Sequence, residues 1–592
     1  MSKELLFFYQ ERAEGFAKDK KKLSNLLSYT SLIRLVLFAL FGWFLYSAFA
    51  FRFQGYHLLI SLFALLAFFV IVFFTGEVKK KINFLNQLIR INENELNILD
   101  GQPSFLANGA DFFTSKGFTT DLPIFGNHSL FHLLNRVGSV SGKEQLKNRL
   151  VRPLETYLHI LEYQESVKEL SEKIDFRQTL LANTILLINE EGLPLLKATI
   201  PVDLFSELNH RIWSILSLVW PFGAILLIIY SVYFDNYQNL LLFGIAGLLL
   251  MSFLFKKTSQ LYYHISKKSY LFGQYARCFR LIANELFTTP LLVQKQKEII
   301  DAAAAFKKLE TIGTVYDLRM SIFSFFINGL FLFELLCARS YLRWNARWQS
   351  KIENWFKTIG EVEMLNSLAA FHFNHPSYIF PECSKDGLII DAKGMGHPLM
   401  KIEQVIVNDF TIGAQSLLHI ITGSNMSGKS TFLRTLGLNM VLAQIGVPVF
   451  AEKFVFRPAR ILTSFHHIDS LEENSSYFYT ELKALHEIIL SLENQMPALV
   501  LLDEVMRGTN SKDKHDGTAL LIKKLLQFNC MTLIATHDTD LGILAASYSG
   551  AIENFCFESE LSDNTLSFDF KIRRGVAQSK NATFLMKKMG II

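Results

Sequence analysis

Four long uncharged apolar runs dominate the first half of the chain, and they come in two pairs: residues 35–51 with 58–76, and residues 212–234 with 236–255. Each is near the roughly 20 residues that a helix needs to cross a bilayer. The links are short, residues 52–57 and a turn around Asp235, so each pair predicts a helical hairpin. Pro221 lies inside the third run and predicts a kink there. Arg34, at the edge of the first run, is long enough to carry its charge to the headgroups. A fifth apolar stretch, residues 321–333, is shorter; Asn328, Glu334 and Arg339 interrupt or bound it, so it reads as a buried helix of a helical domain. Residues 129–192 repeat apolar positions at helical spacing (Leu130, Leu133, Leu134, Leu146, Leu150, Leu154), and residues 258–372 do the same from Leu261, Ile265 and Tyr270 to Trp355, Leu365 and Leu368. From about residue 385, short β-rich runs alternate with helices, the texture of a parallel sheet covered by helices.

Flanking charge orients the hairpins. Lys18, Lys20, Lys21 and Lys22 precede the first, and Lys79, Lys80 and Lys81 follow it. Arg211 precedes the second, and Lys256, Lys257, Lys267 and Lys268 follow, whereas the tips carry only Arg52 and Asp235. The positive-inside rule then puts both tips outside and the rest in the cytoplasm, as a multi-pass protein of the cell (inner) membrane with the lipid bilayer as partner. Composition agrees: of 592 residues 50% are hydrophobic, 54 are Phe, and the mean hydropathy is +0.24. A net charge of +5 leaves no strong nucleic-acid footprint. The five cysteines are scattered without C-x-x-C spacing, which argues against a disulfide framework or a structural metal and suits a reducing compartment. The N-terminal residues mix Glu and Lys and show no cleavable signal pattern.

The chemistry concentrates near residue 423. Gly423, Ser424, Asn425, Met426, Ser427, Gly428, Lys429 and Ser430, followed by Thr431, fit G-x-x-x-x-G-K-[ST]. An apolar strand-like run precedes them and a helix-like run follows. Glycines let the backbone curl so that N–H groups meet phosphate oxygens at a helix N-terminus. Lys429 would reach the β and γ phosphates of ATP, and Ser430 would hold Mg²⁺. The run ALVLLDE, residues 498–504, ends in two carboxylates. As a buried parallel strand it would bring Asp503 to the Mg²⁺ and Glu504 to the attacking water. A further strand over residues 531–536 ends in His537, placed to touch the γ-phosphate or the water.

These residues resemble the MutS mismatch-repair family. The family loop TGPNMGGKST appears here as TGSNMSGKST, residues 422–431. Residues 443–446 resemble its AQIG, and residues 476–481 its STF-x-x-E. Asp503, Glu504 and Arg507 to Thr509 resemble DEIGRGT, and residues 535–537 resemble ATH. Gly396, His397 and Pro398, Asn408 and Asp409, and Gly575 to Ala577 with Ser579 resemble RHP, PND and GVA-x-S. The helical parts resemble the family core more faintly, at Leu133 to Gln164 and at Glu363 to Leu368 with Pro381. The resemblance implies an ATPase working as a dimer, here a homodimer, with Ser476 donated by the partner subunit to the γ-phosphate and Asn425 against the phosphates. Lys429, Glu504, His537 and Ser476 are then the catalytic set. DNA enters as a partner by family analogy only.

The fold class that follows is multi-domain: an α-helical core and lever with two transmembrane helical hairpins, plus a C-terminal α/β P-loop NTPase domain. Its expected parts are a cytoplasmic N-terminal helix (1–30), hairpin 1 (31–78), a MutS-core-like helical region (79–210), hairpin 2 (211–257), a helical lever (258–384) and the ATPase domain (385–592). The departures from the family matter for function. Phe8-Tyr-Gln10 lacks the glutamate of the mismatch-reading wedge, and hairpin 2 stands where the family inserts its DNA clamp. The adenine-stacking aromatic corresponds to Val405, and Asn510 to His515 are extra. The reading is a membrane-anchored MutS-like ATPase without mismatch reading. An ABC-like transporter, which would need the missing LSGGQ-type signature, and a nucleotide-gated membrane scaffold are the alternatives.

Overall fold

The computed structural model describes residues 3–50, 55–113, 117–187, 208, 210–265, 268–321, 324–387, 389–413, 416–424, 426–465, 477–548, 550–562 and 565–578. The chain divides into two compact units, residues 1–105 with 175–189 and residues 106–174 with 190–592.

The first unit is a long helical hairpin, α1 (Lys3–Ala50) against α2 (Gly55–Leu99). Helices of 48 and 45 residues run about 70 Å at 1.5 Å per residue, more than twice the thickness of a hydrocarbon core. The expected boundary after residue 30 therefore falls inside one continuous helix. Phe38, Trp43, Phe63, Phe69 and Phe73 on the apolar halves are exposed. Only 11% and 17% of the most apolar windows are buried, the reverse of a soluble core helix. The polar halves are pinned by amide and charge pairing. Arg12 meets Asp175 at 2.6 Å and Gln178 at 3.1 Å, and the fully buried Asn92 exchanges hydrogen bonds of 3.2 and 2.9 Å with Gln178. Burying these amides is tolerable because each finds a partner.

The second unit begins with helices α3 (Val140–Val151) and α4 (Tyr157–Glu172). The second apolar pair forms α5 (Arg211–Phe234), which runs on through Pro221, and α6 (Gln238–Ile265). Asp235 turns the chain between them in a left-handed conformation. Helices α7 (Ser269–Asn284) and α8 (Ala302–Tyr316) follow, then the short α9 (Ser324–Phe331) and the 42-residue α10 (Phe333–Asn374). Phe279 and Phe306 stack their aromatic edges at 5.2 Å, and Phe306 meets Trp355 and Trp344 of α10 at 6.1 and 6.3 Å. At its far end α10 packs on α3. Gly360 lies so close to Ser141 that a Cβ would sit 2.7 Å from the Ser141 carbonyl oxygen. Buried Glu363 accepts the N–H of Gly138 and Ser139, both at 3.1 Å, and the Ser139 hydroxyl, capping the N-terminus of α3. The expectation of a buried helix at residues 321–333 is corrected: α9 leaves Phe325 and Phe326 61% and 64% exposed, because only its opposite side meets α5 and α6.

The α/β part holds two sheets. Strands β1 (Glu382–Cys383), β2 (Ile389–Met395), β3 (Asn408–Gly413) and β5 (Lys453–Phe456) form a four-stranded sheet in the order β1-β5-β2-β3. The other sheet has six strands, β4 (Leu418–Thr422), β6 (Arg460–Ser464), β7 (Ala498–Asp503), β8 (Cys530–Thr536), β9 (Ile552–Ser562) and β10 (Thr565–Arg574), in the order β10-β9-β4-β8-β7-β6. All its pairings are parallel except that of β9 with β10. Strands β4, β7 and β8 are buried throughout, which is why each reads as an unbroken apolar run. A wholly parallel sheet is therefore only part of the domain; β2 pairs antiparallel with both its neighbours in the small sheet, and β10 adds an antiparallel edge to the large one.

One helix ties this domain to the helical region. α11 (Lys429–Gln444) ends in the buried Gln444, whose main chain accepts the Leu154 N–H at 3.1 Å. Its side chain donates to the Leu154 carbonyl at 3.3 Å and accepts the Ala459 N–H at 3.2 Å. Below it, Gly446 packs on Tyr163, and Leu122 fills the space left by Gly437.

His419 on β4 is enclosed by the Phe410 and Phe555 rings, 5.3 and 4.8 Å away. Burial, with Arg574 adding repulsion, pushes its pKa down to about 4. The unfolded chain takes up that proton near pH 6.5, whereas the folded chain refuses it until about 4. This contribution to stability is thus complete above pH 6.5 and is lost as pH falls toward 4. We expect His419→Phe to flatten the acid side of the melting-temperature profile between those values, checked by thermal melts across pH. His397, also held down to about 4 by burial, retains part of the slope.

Candidate nucleotide-binding site

The C-terminal ends of β4, β7 and β8 converge, and the loop after β4 closes over them. Gly423 and Gly428 have φ of 152° and 105°. A Cβ on Gly423 would lie 2.7 Å from Ser427 Oγ and 2.9 Å from the Phe557 carbonyl oxygen, so the tight curl excludes a larger residue there. Ser427 donates to the Ser424 carbonyl at 2.8 Å, closing the loop on itself. Thr422 Oγ1 accepts the Ala577 N–H at 2.9 Å, which ties the segment after β10 to the loop entrance. Lys429 opens α11 and is buried; its ammonium donates to the carbonyls of Gly423 and Ser424 at 2.7 and 2.8 Å. Ser430 and Thr431 follow in the first turn, and Met426 is 70% exposed at the rim. Asn425 and Ser476 lie outside the described residues.

Opposite the loop, Asp503 ends β7 and Glu504 follows it. Glu504 has φ 51°, a left-handed turn that swings its carboxylate back over the loop; its own N–H is held by the Ala535 carbonyl at 2.8 Å. The carboxylate pairs with Arg507 and lies 3.8 Å from the Lys429 ammonium and 3.5 Å from His537 Nδ1. Burial alone would raise its pKa, but Arg507 and Lys429 more than offset that and hold the group below its usual range. Lys429 is shifted down: burial outweighs the opposing pull of Glu504 and Asp503. So the structure places Lys429 and His537 on either side of the Glu504 carboxylate, each within 4 Å of it.

Asp503 is different. It is buried, 3% exposed, and among the described residues neither carboxylate oxygen has a hydrogen-bond partner. A buried anion without donors is costly. Two unclaimed hard oxygens beside a serine at a helix N-terminus suit Mg²⁺, which prefers such donors and retains waters. Asp503 and Ser430 are thus the residues fit to hold it.

Several residues support the site in ways the sequence does not state: Glu481 and Asn408 stand there only as family landmarks, and Phe570 carries no signal. Buried Glu481, on α12 (Tyr477–Leu492), accepts the N–H of Met506 and, at 3.2 Å, of Arg507. It thereby fixes the turn that carries Glu504. Phe570 sits in a bulge of β10 with φ 52°, and its ring would lie 3.1 Å from a Cβ on Gly428. Asn408 holds that bulge, donating to the Phe570 carbonyl at 3.0 Å and accepting the Ile572 N–H at 2.9 Å. Val405, in contrast, lies against Gly396. The extra residues before Asp516 begin α13 (Ser511–Leu525), capped by Asn510, and His515 Nδ1 meets Asp538 at 2.8 Å beside His537.

A glycine loop between a buried strand and a helix, facing paired carboxylates at the end of a second parallel strand, defines a P-loop nucleotide-binding fold. Within that class, residues 419–589 match the family described as MutS domain V. The chain is 34% identical over 238 residues to the MutS protein homolog 4 of Mus musculus, covering 38% of this chain and 24% of that protein. It is 32% identical over 238 residues to the DNA mismatch repair protein MutS of Thermotoga maritima, covering 39% and 29%. With the DNA mismatch repair protein MSH4 of Arabidopsis thaliana it shares 34% identity over 202 residues, 33% and 25% of the two chains. The chain therefore spans about a quarter of the length of the curated relatives it matches, and the likeness is to their domain V region.

Replacing Asp503 by Asn removes the stranded charge. We expect the nucleotide-free protein to gain about 1–3 kcal/mol of stability, the order of one relieved buried polar group. The stabilisation by Mg²⁺ should vanish at the same time. Calorimetric melts with and without Mg²⁺ check both; a Mg²⁺ response surviving in the Asn variant rules Asp503 out as a ligand.

Proposed function

We propose that this chain is a membrane-anchored MutS-like ATPase, binding and hydrolysing Mg-ATP at composite sites in a homodimer. The observation that carries the reading is the buried Asp503 carboxylate, without a hydrogen-bond partner among the described residues, at the strand end that faces the Lys429 loop. Phosphate oxygens would replace the Gly423 and Ser424 carbonyls as partners of Lys429, and the loop N–H groups at the start of α11 would receive the remaining charge. Mg²⁺ held by Ser430 and Asp503 would neutralise charge developing on the transferred phosphoryl group. Glu504 orients the attacking water; its low basicity suits positioning rather than full proton removal before the bond breaks. His537, 53% exposed beside Glu504, faces the same point and reports the γ-phosphate. Phe570 stacks on the nucleobase in place of an aromatic at Val405. Ser476 of the partner subunit completes the site, so that ATP closes the dimer and hydrolysis reopens it.

The exposed apolar halves of α1, α2, α5 and α6 support the anchor, and the flanking lysines support a cytoplasmic ATPase. The relatives' names make duplex DNA the first macromolecule to test; mismatch reading is not part of the proposal.

Detergent-purified protein should hydrolyse ATP only with Mg²⁺. Lys429→Ala should lose ATP binding, whereas Glu504→Gln should bind ATP yet turn over at least roughly 100-fold more slowly, the share a positioned base supplies. Wild-type turnover in Glu504→Gln would assign the base elsewhere. Adding homoduplex, mismatched and branched DNA at stated salt tests DNA coupling. Phe570→Ala should raise KM for ATP about tenfold at nearly constant kcat, because one stacking contact is worth about 1–3 kcal/mol.

A further inference from the structure

The segment leading into α10 breaks in an unusual place. α9 and α10 meet at an angle of 75°, with Leu332 left-handed at φ 49° and ψ 44°. The polar side chains of Asn328 and Glu334 at this elbow turn inward. Asn328 Nδ2 donates to Glu334 Oε1 at 2.9 Å, while Asn328 Oδ1 accepts the Glu334 N–H at 3.0 Å. The second Glu334 oxygen accepts the Thr258 hydroxyl of α6 at 2.8 Å and pairs with Arg319 at 3.3 Å. Arg319 in turn lies over the Phe255 and Tyr262 rings, 5.0 and 5.4 Å from their centroids. The Leu332 N–H reaches the Asn328 carbonyl at 3.0 Å, and the Leu336 N–H reaches that of Leu332 at 3.1 Å.

From Thr258 the segment climbs along α6. Gly329 approaches so closely that a Cβ on Gly247 would run into its carbonyl oxygen, and a Cβ on Gly329 would lie 2.8 Å from the Gly244 carbonyl. Trp220 of α5 donates to that same Gly329 carbonyl at 3.3 Å. Glycine-to-glycine helix contact is the packing used where lipid surrounds helices and burial of apolar surface drives nothing. Thr258 and Gly247 are about 16 Å apart along α6, roughly half of a 30 Å hydrocarbon core. α9 itself, at about 12 Å, is too short to span.

The outward side is apolar. Met320, Phe325 and Phe326 are 78%, 61% and 64% exposed, as Leu226 and Phe253 are on α5 and α6, the helices that α9 packs against. Resting on the reading that α5 and α6 cross a bilayer, we infer that α9 is a re-entrant membrane half-helix. It enters beside Thr258 in the lysine-flanked leaflet, reaches mid-bilayer at Gly247, and returns at the Leu332 elbow into α10. Its partner is the acyl-chain region of the lipid. An irregular turn is admissible there because Asn328, Glu334 and Thr258 hydrogen-bond one another and Arg319 neutralises the Glu334 charge. The lever helix α10 is then rooted inside the membrane rather than beside it.

Spin labels on single introduced cysteines in the full chain, reconstituted in phospholipid vesicles, test this. The five native cysteines are buried and leave little background, measured on the unsubstituted protein. Phe325→Cys and Phe326→Cys report α9, Leu226→Cys reports α5, and Leu158→Cys, 67% exposed on α4, reports water. We expect the ratio of oxygen to polar nickel-complex collisions at positions 325 and 326 to match Leu226→Cys. It should exceed that at Leu158→Cys by roughly tenfold, because the polar complex is excluded from hydrocarbon. If Leu226→Cys reads as lipid while positions 325 and 326 read as water, the re-entrant assignment fails alone. If Leu226→Cys also reads as water, the membrane reading itself fails. Low collision with both reagents at 325 and 326 means a protein surface covers α9, and this too overturns lipid contact.

Discussion

A carboxylate taken out of water must be met by donors or by positive charge, or it destabilises the fold by several kcal/mol. Among the described residues five buried carboxylates stand at the joints and at the candidate site, and four of the five are met. Glu363 caps α3 and joins the lever helix to the helical region. Glu334 closes the elbow at the other end of that helix. Glu481 accepts main-chain N–H groups and fixes the turn after β7, and Glu504 is held by Arg507 near Lys429. Asp503 alone of the five has no donor. The joints of the molecule lie where the anions are satisfied, and the proposed chemistry lies where one is left for a cation.

Two helices connect those points. α11 starts at the phosphate loop and ends at Gln444, whose side chain and main chain both lock onto the segment around Leu154. α10 runs about 63 Å from the elbow to Asn374 at 1.5 Å per residue, with Glu363 fastening its far half. A shift in the turn carrying Glu504 would be felt through Glu481 and α12, and a tilt of α11 would be felt at Leu154. Packed helices and saturated hydrogen bonds transmit such shifts as rigid pieces, because a close-packed interior has little room to absorb them.

Much of this was legible in one dimension because its physics is local. The loop motif needs its glycines and its Lys429 at fixed spacing to follow a phosphate, so residues 423–431 state the site outright. Strands buried on both faces must be apolar throughout, which is why β4, β7 and β8 stood out with their acids and His537 at the ends. The long uncharged runs were visible for the same reason: a helix without polar neighbours cannot hide charge. The continuous helices α1 and α2 were less visible, since a change from lysines to phenylalanines reads as a boundary although backbone hydrogen bonding carries straight through it.

What the sequence determined by itself was therefore the phosphate loop, the acidic strand end, and the apolar lengths of the two hairpins. Tertiary structure alone decided which distant groups meet: Phe570 beside Gly428 through a bulge held by Asn408, Glu481 beneath the Glu504 turn, and Glu334 against Thr258 and Arg319. It also turned the short apolar stretch around Phe325 outward, where its shortness and the polar residues bounding it had suggested a buried helix. The reason is that a single acid or aromatic residue carries no spacing signal. Its role is set by the partner that folding brings within about 3 Å for a hydrogen bond, and that partner can be anywhere in the chain.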